Sequence, residues 1–251
     1  MLIICNGAYK SGSTWLFRIL LTMTQYDLIP PAYHAPGWNG LGIKPSLLAK
    51  FLKRENYRDH NYILKGHFFL QYHIIVGKPN VTVMNIRRDT RDVVVSAFHY
   101  ERMKGKCQSD SFEGYYWTRG WRIAQQVIRY NRLWENKPNT YMSSYETLHT
   151  DFPGEVHRLA SFLGFSLSQA DVQRLHDENT LESLREKYDE KSSDGKMSFY
   201  RKGVIGDWQE HMSEEIVQDI ARIDREEAGY PTRMDLLNLR GRYAVSKWRD
   251  K

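Results

Sequence analysis

The chain predicts one α/β domain of the P-loop-like kind, with a central parallel β-sheet and helices on both faces. Three observations carry this. Short, almost wholly apolar runs recur along the chain, segments with helical periodicity separate them, and the first run ends in a glycine-bearing loop that opens a helix. At 251 residues the chain suits a single such domain with a sizeable core, taken as residues 1–251.

The apolar runs are Leu2 to Cys5, Tyr62 to Leu64, Val81 to Ile86 and Thr140 to Ser143. Strands buried on both faces need no polar alternation, and these show little. The helical segments begin after polar residues. Thr14 to Gln25 carries Leu16, Ile19, Leu20 and Met23 on one face, and Arg91 to Met103 carries Val94, Val95 and Phe98. Tyr115 to Trp134, Gly154 to Leu163, Ser168 to Glu178 and Ser213 to Glu227 follow the same logic. Pro30 to Pro45 and Lys187 to Gly206 read as loops, of a length shared by lids, binding segments and plain insertions.

Composition narrows the function. A net charge of +6, with cations spread among acids, fits an anionic ligand and lacks the basic stripe of a nucleic-acid binder. Two cysteines, Cys5 and Cys107, make neither a disulfide framework nor a zinc pattern. No apolar run approaches a membrane span and no leader is legible, so stable membrane insertion is not expected and a cytoplasmic setting is. The basic tail from Arg240 to Lys251, with Trp248, reads as a solvated end; contact with a membrane surface is the alternative.

The first strand leads into Gly7-Ala8-Tyr9-Lys10-Ser11-Gly12-Ser13-Thr14-Trp15. A strand, a glycine loop and a helix start form a nest of N–H groups suited to an anion, although a tight turn without ligand needs the same glycines. Gly7, Gly12 and Thr14 keep the spacing of a Walker A loop, but Ser13 stands where its lysine belongs and the lysine is displaced to Lys10. That argues against ordinary nucleotide triphosphate hydrolysis. Two further strings join cations to glycines or helix starts: Arg87-Arg88-Asp89-Thr90-Arg91-Asp92-Val93-Val94-Val95-Ser96, and Arg201-Lys202-Gly203-Val204-Ile205-Gly206-Asp207-Trp208 after Phe199-Tyr200.

Together these strings resemble the motifs of cytosolic-type sulfotransferases, in that family's order. Lys10 to Trp15 is similar to the 5'-phosphosulfate loop, with Ala8-Tyr9 where the family usually has Tyr-Pro. Arg88 to Ser96 is similar to the 3'-phosphate motif, and Arg201 to Trp208 to the R-K-G-x-x-G-D-W signature. The resemblance implies 3'-phosphoadenosine-5'-phosphosulfate (PAPS) as donor and 3',5'-ADP (PAP) as product. It implies that Lys10, Ser11, Gly12, Ser13, Thr14, Arg88, Ser96, Arg201, Lys202 and Gly203 hold the donor, with Trp15, Tyr145 and the weaker candidate Thr180 at its adenine. Core packing explains Trp15 and Tyr145 as well. Many relatives have a segment before the first strand that shapes the acceptor pocket; a chain beginning at that strand is expected to have a more open pocket, or one built from other loops.

Leu64-Lys65-Gly66-His67-Phe68 resembles the family's K-T/S-H segment, with glycine in place of the hydroxyl residue. His67 is then the general base, a neutral imidazole being suited to removing an acceptor proton near pH 7. Lys10 stabilises the leaving 5'-phosphate, Lys65 faces the sulfuryl oxygens, and Ser96 restrains Lys10 until an acceptor arrives. His73 and His99 compete for the base role, His99 better placed to orient, and His34 could enter the acceptor pocket. The expected acceptor is a small molecule with a hydroxyl or amine; no metal is required and no oligomeric state is legible. Trp38, Phe68, Phe69, Tyr72, Tyr115, Tyr116 and Trp117 could line an apolar pocket or simply pack. A P-loop kinase using ATP and a nucleotide-binding module without catalysis are the alternatives.

Overall fold

Leu2-Ile3-Ile4-Cys5 continues two residues beyond its apolar run to form β1 (Leu2–Gly7), buried throughout. The computed structural model describes residues 1–36, 41–54, 57, 59–107, 109–188 and 201–227. After β1 come α1 (Ser13–Thr24), β2 (Asp27–Leu28), α2 (Pro45–Arg54), β3 (Tyr62–Lys65), α3 (Tyr72–Ile75) and β4 (Val81–Arg87). Next are α4 (Thr90–Met103), α5 (Phe112–Tyr115), α6 (Trp121–Trp134), β5 (Thr140–Ser144), α7 (Tyr145–Thr150) and α8 (Phe152–Leu163). The last are α9 (Gln169–Glu178), α10 (Leu181–Tyr188) and α11 (Glu214–Glu226).

The sheet is parallel throughout, in the order β2-β3-β1-β4-β5. Side chains alternate between its faces. Ile3 and Cys5 join Leu16 and Leu20 of α1 and Val156 and Leu159 of α8 in one core. Leu2 and Ile4 join Val94 of α4, Trp134 of α6 and Ile220 of α11 in the other. The chain first leaves β1 toward β3 and later crosses to β4 on its other side. Such a reversal opens a crevice at the C-terminal ends of the strands, here after Gly7, Lys65 and Arg87.

The differences from the sequence expectation are local. β2 has only two residues, both exposed, too few to leave a periodic pattern; its pairing with Tyr62 and Ile63 makes it a strand. α2 emerges from a stretch with no assigned structure. The single helix expected over Tyr115 to Trp134 is divided: α5 ends at Tyr115, Tyr116–Gly120 forms a wider π turn, and α6 begins at Trp121. The Tyr116 ring is buried there and its hydroxyl donates to Asp219 at 2.6 Å, a tertiary bond that local periodicity cannot signal. α8 starts two residues early because Asp151 caps it at the Gly154 N–H, 3.0 Å away, with Pro153 in the first turn.

The Pro30 to Pro45 loop contains a 3₁₀ turn at Pro31–Tyr33, and Gly42 bridges to Lys65. Trp38, Phe199, Tyr200, most of the Lys187 to Gly206 loop and the tail with Trp248 lie outside the described residues. Among the described residues no helix is long and apolar enough to cross a membrane.

Candidate active site

The loop between β1 and α1 is shaped by what surrounds it. Lys10 lies in the left-handed region at φ 62°, and so does Gly12 at φ 95°. A Cβ on Gly12 would stand 2.6 Å from the Tyr145 ring, so both conformation and space demand glycine. Ser11 is buried, and its hydroxyl donates to the Ala8 carbonyl at 2.7 Å, so its side chain serves the loop's own fold. The Gly7 N–H donates to the Tyr130 hydroxyl at 3.1 Å. α1 then starts at Ser13 with no acidic residue in its first turn, which leaves the positive end of the helix uncompensated.

His67 is fastened to that loop. Its Nδ1 lies 2.6 Å from the Gly7 carbonyl, which can only accept, so Nδ1 carries the proton and Nε2 the lone pair. The Lys65 ammonium stands 3.4 Å from Nε2. Burial first, then Lys65, pushes the imidazole down to about 3, so it is neutral at physiological pH. Burial pushes Lys65 down to about 8. Lys10 falls to about 7, through burial and then the cations Arg88, Lys65 and Arg201. Its ammonium rests 4.4 Å from the Tyr100 ring centroid.

Gly66 has a steric cause. A Cβ there would lie 2.0 Å from the Phe68 ring, which is fully buried and whose backbone is held by Asn6 and Trp134. With the Phe68 ring in this place, position 66 has no room for a side chain. Gly66→Ser is expected to destabilise the protein by about 1–3 kcal/mol, the range for overpacking a filled core. Gly66→Ser combined with Phe68→Leu should recover part of that loss in thermal denaturation; no loss in the single variant would refute the fit.

The second and third motifs meet at the N-terminus of α4. Arg88 lies 4.1 Å over the Tyr145 ring, donates to the Val204 carbonyl at 2.9 Å and stands 3.7 Å from Asp92. Its Nε is buried with no hydrogen-bond partner among the described residues. Asp92, almost wholly buried, accepts from the Gly206 N–H at 2.9 Å and the Trp208 N–H at 3.1 Å. Arg91 stacks on Trp208 at 3.7 Å. Arg201 pairs with Asp207, and Lys202 bridges Asp207 at 2.8 Å and Glu210 at 2.9 Å. Gly203 is left-handed at φ 67°, with Leu181 filling the space beside it.

Lys10, Lys65, Arg88 and Arg201 thus converge on one crevice, with Lys202 at its edge. Asp92, Ser96 and Tyr100 share one face of α4 at four-residue spacing, which sets half-buried Ser96 between the Arg88 anchor and the ring beneath Lys10. Ser13 is buried and Thr14 half-buried at the start of α1. Trp15 donates to the Asn179 carbonyl at 2.9 Å and packs against Tyr145 and His149. Tyr145 lies between the glycine loop and Arg88. The Thr180 hydroxyl is engaged in capping α10, accepting from the Ser183 N–H at 3.1 Å.

Of the other histidines, His34 lies 2.7 Å from the Ile29 carbonyl and His73 is exposed on α3. His99, on α4, is pushed down to about 4 by burial and then by Arg201. Sequence reasoning assigned no role to Asp92, Asp207 or Tyr100. The first two stood inside strings already singled out, and an acid set among arginines and lysines was the available signal. Nothing local marks Tyr100.

Residues 2–230 match the family model described as the sulfotransferase domain. The chain is 23% identical over 222 residues to Sulfotransferase 2B1 of Homo sapiens, covering 81% of this chain and 60% of that protein. It is 26% identical over 245 residues to 3-beta-hydroxysteroid sulfotransferase of Cavia porcellus, covering 90% and 83%. Against Cytosolic sulfotransferase 1 of Danio rerio, identity is 30% over 148 residues, and the match spans only 49% of that relative's length. Mouse sulfotransferase SULT7A1, solved with PAP, shares the fold at TM-score 0.67 and 16% identity, over 98% of this chain and 88% of that one. Retinol dehydratase, solved with androsterone and PAP, does so at 0.64 and 19%, over 92% and 82%. The family match over nearly the whole chain, on a parallel sheet with its cations gathered at one end, makes this protein a member of the sulfotransferase family.

Proposed function

We propose that the protein transfers a sulfuryl group from PAPS to the hydroxyl of a small acceptor, by in-line displacement and without a covalent enzyme intermediate. The observation that carries this is the pairing of a tautomer-fixed, neutral His67 with Lys65 and Lys10 at the phosphate loop. His67 Nε2 accepts the acceptor's proton as its oxygen attacks sulfur. The bond from sulfur to the bridging oxygen breaks, and that oxygen leaves on the 5'-phosphate of PAP. Lys10, the loop N–H groups, Ser13 and Thr14 stabilise the charge that builds there, and Lys65 faces the sulfuryl oxygens. Ser96, between Arg88 and Tyr100 on α4, binds the 3'-phosphate with Arg88 and restrains Lys10 until an acceptor is present, as the family resemblance implies.

Arg88, Arg201, Lys202 and the Gly203 backbone bind the 3'-phosphate. Asp92 and Asp207 neutralise these cations; a phosphate would take their place as partner. Trp15 and Tyr145 flank the adenine, with Ser11 and Gly12 setting the loop and Thr180 beside them. Arg88→Ala is expected to erase the preference for 3',5'-ADP over 5'-AMP, at least tenfold in the wild type, in a calorimetric comparison of the two. A retained preference would move that task to other residues.

Relatives are named for a hydroxysteroid and for an amine, and a fold neighbour was solved with retinol, so alcohol acceptors come first in an assay panel and amines second. Incubation with labelled PAPS and that panel, read by mass spectrometry, tests the reading. Labelled sulfate ester formed without added metal supports it. Transfer of phosphate from ATP with Mg²⁺ would support the kinase alternative instead. PAP binding without transfer to any acceptor would support a catalytically silent module.

A further inference from the structure

Behind the 3'-phosphate clamp lies a group of side chains that the transfer reaction does not use. His99 of α4, Asp207 and His211 each offer one ligand-type atom, and these atoms all lie within 4.8 Å of one another. The Nε2 atoms of both histidines are buried and have no hydrogen-bond partner among the described residues. The rings stand 5.2 Å apart, with Phe112 packed 5.9 Å from His211, so one wall of the group is apolar. The Asp207 carboxylate is 3.7 Å from His211 Nε2, too far for a hydrogen bond.

We propose that His99, Asp207 and His211 form a site for a borderline divalent cation of the zinc type, which fills when the donor's 3'-phosphate is bound. This rests on the reading of Arg201 and Lys202 as phosphate ligands. Two imidazoles and a carboxylate are a ligand set suited to zinc, cobalt or nickel, with positions left open for water. Around a tetrahedral zinc, neighbouring ligand atoms are about 3.3 Å apart, so a contraction of about 1.5 Å suffices, within reach of side-chain rotation. Two buried, unpartnered ring nitrogens are costly as they stand, and a cation would satisfy both at once.

The coupling to donor follows from charge. Asp207 is held by both Arg201 and Lys202, and a divalent ion beside two such cations is repelled. A phosphate drawing Arg201 and Lys202 to itself both adds negative charge and frees the carboxylate. By linkage, the cation then tightens donor binding by the same factor. The cation touches none of the reacting atoms in this arrangement.

Cobalt(II) titrated into chelator-stripped protein, followed by its visible absorption, tests this with and without saturating 3',5'-ADP. The expected result is one cobalt per chain with 3',5'-ADP present, at least tenfold weaker binding without it, and displacement by zinc. His99→Ala and His211→Ala should each abolish the cobalt spectrum. The metal-free His211→Ala protein should still bind 3',5'-ADP, which shows that it is folded. No cobalt spectrum in either condition, as when waters alone satisfy the two imidazoles, overturns the site, as does a spectrum unchanged in both variants. Equal cobalt affinity with and without 3',5'-ADP overturns the coupling. Failure of 3',5'-ADP to bind the metal-free wild type refutes the donor reading instead, and so removes the coupling, while a cobalt spectrum lost in both variants would leave the cation site standing.

Discussion

His67→Ala should lower turnover roughly 10²–10⁴-fold, the range for losing a general base, while 3',5'-ADP binding stays within a few fold of wild type. The asymmetry follows from geometry. Nε2 is the atom left to take a proton, because Nδ1 is committed to the Gly7 carbonyl. Donor affinity, in contrast, is assigned to the cations in the proposed function. The substitution also removes the bond that ties the phosphate loop to the segment after β3, and a buried carbonyl without its donor costs about 1–3 kcal/mol. His67→Asn separates the two effects, since its amide can donate to Gly7 but is no base. Turnover should stay low in both variants, with stability closer to wild type in the second. Substantial turnover in either variant refutes His67 as base. Loss of 3',5'-ADP binding in both would make the residue structural. With its imidazole at about 3 in the free enzyme, against an ordinary value of about 6.5, His67 stays deprotonated across the neutral range. The kcat/KM profile should accordingly show no acid limb near pH 6.5 from this group.

Lys10→Ala should cut turnover roughly 10²–10³-fold, the scale for one lost oxyanion stabiliser. Its pH dependence gives a second test. Burial and the cations Arg88, Lys65 and Arg201 bring Lys10 down to about 7, so the ammonium is the acid form and disappears as pH rises. Donor capture needs that charge, so kcat/KM for PAPS should fall by up to about tenfold per pH unit above pH 7. The bound anion favours the charged lysine, so kcat at saturating donor should hold to higher pH, and 3',5'-ADP binding near pH 7 to 8 should take up protons. Lys10→Arg keeps its charge. Any remaining basic limb in that variant should move toward the value of Lys65, about 8. A kcat/KM flat from pH 6 to 9 in the wild type, or a limb unmoved by Lys10→Arg, would exclude Lys10 as the titrating group.

Much of this site was legible because its parts are contiguous strings. Lys10 to Trp15, Arg88 to Ser96 and Arg201 to Trp208 each join charge to a glycine or a helix start, and each stands at or beside the C-terminal end of the sheet. Four strands were legible: β1, β3 and β4 carry apolar runs between periodic helices, and β5 sets Tyr141 and Met142 among hydroxyl residues between two of them. β2 was not, since two exposed residues have no pattern. The π turn at Tyr116–Gly120 was not, because a bond to Asp219, 103 residues away, supports it.

From the residues alone came the reaction family, the parallel sheet and the roster of cations and the histidine at its strand ends, since backbone and ligand chemistry are written in neighbours. Folding decided what those groups are like. Desolvation and crowded charge set Lys10 near 7 and His67 near 3, the Phe68 ring allows only glycine at 66, and Asp92 draws the end of the last motif onto α4. Each of these depends on burial or on contact across many residues, and a linear string carries neither.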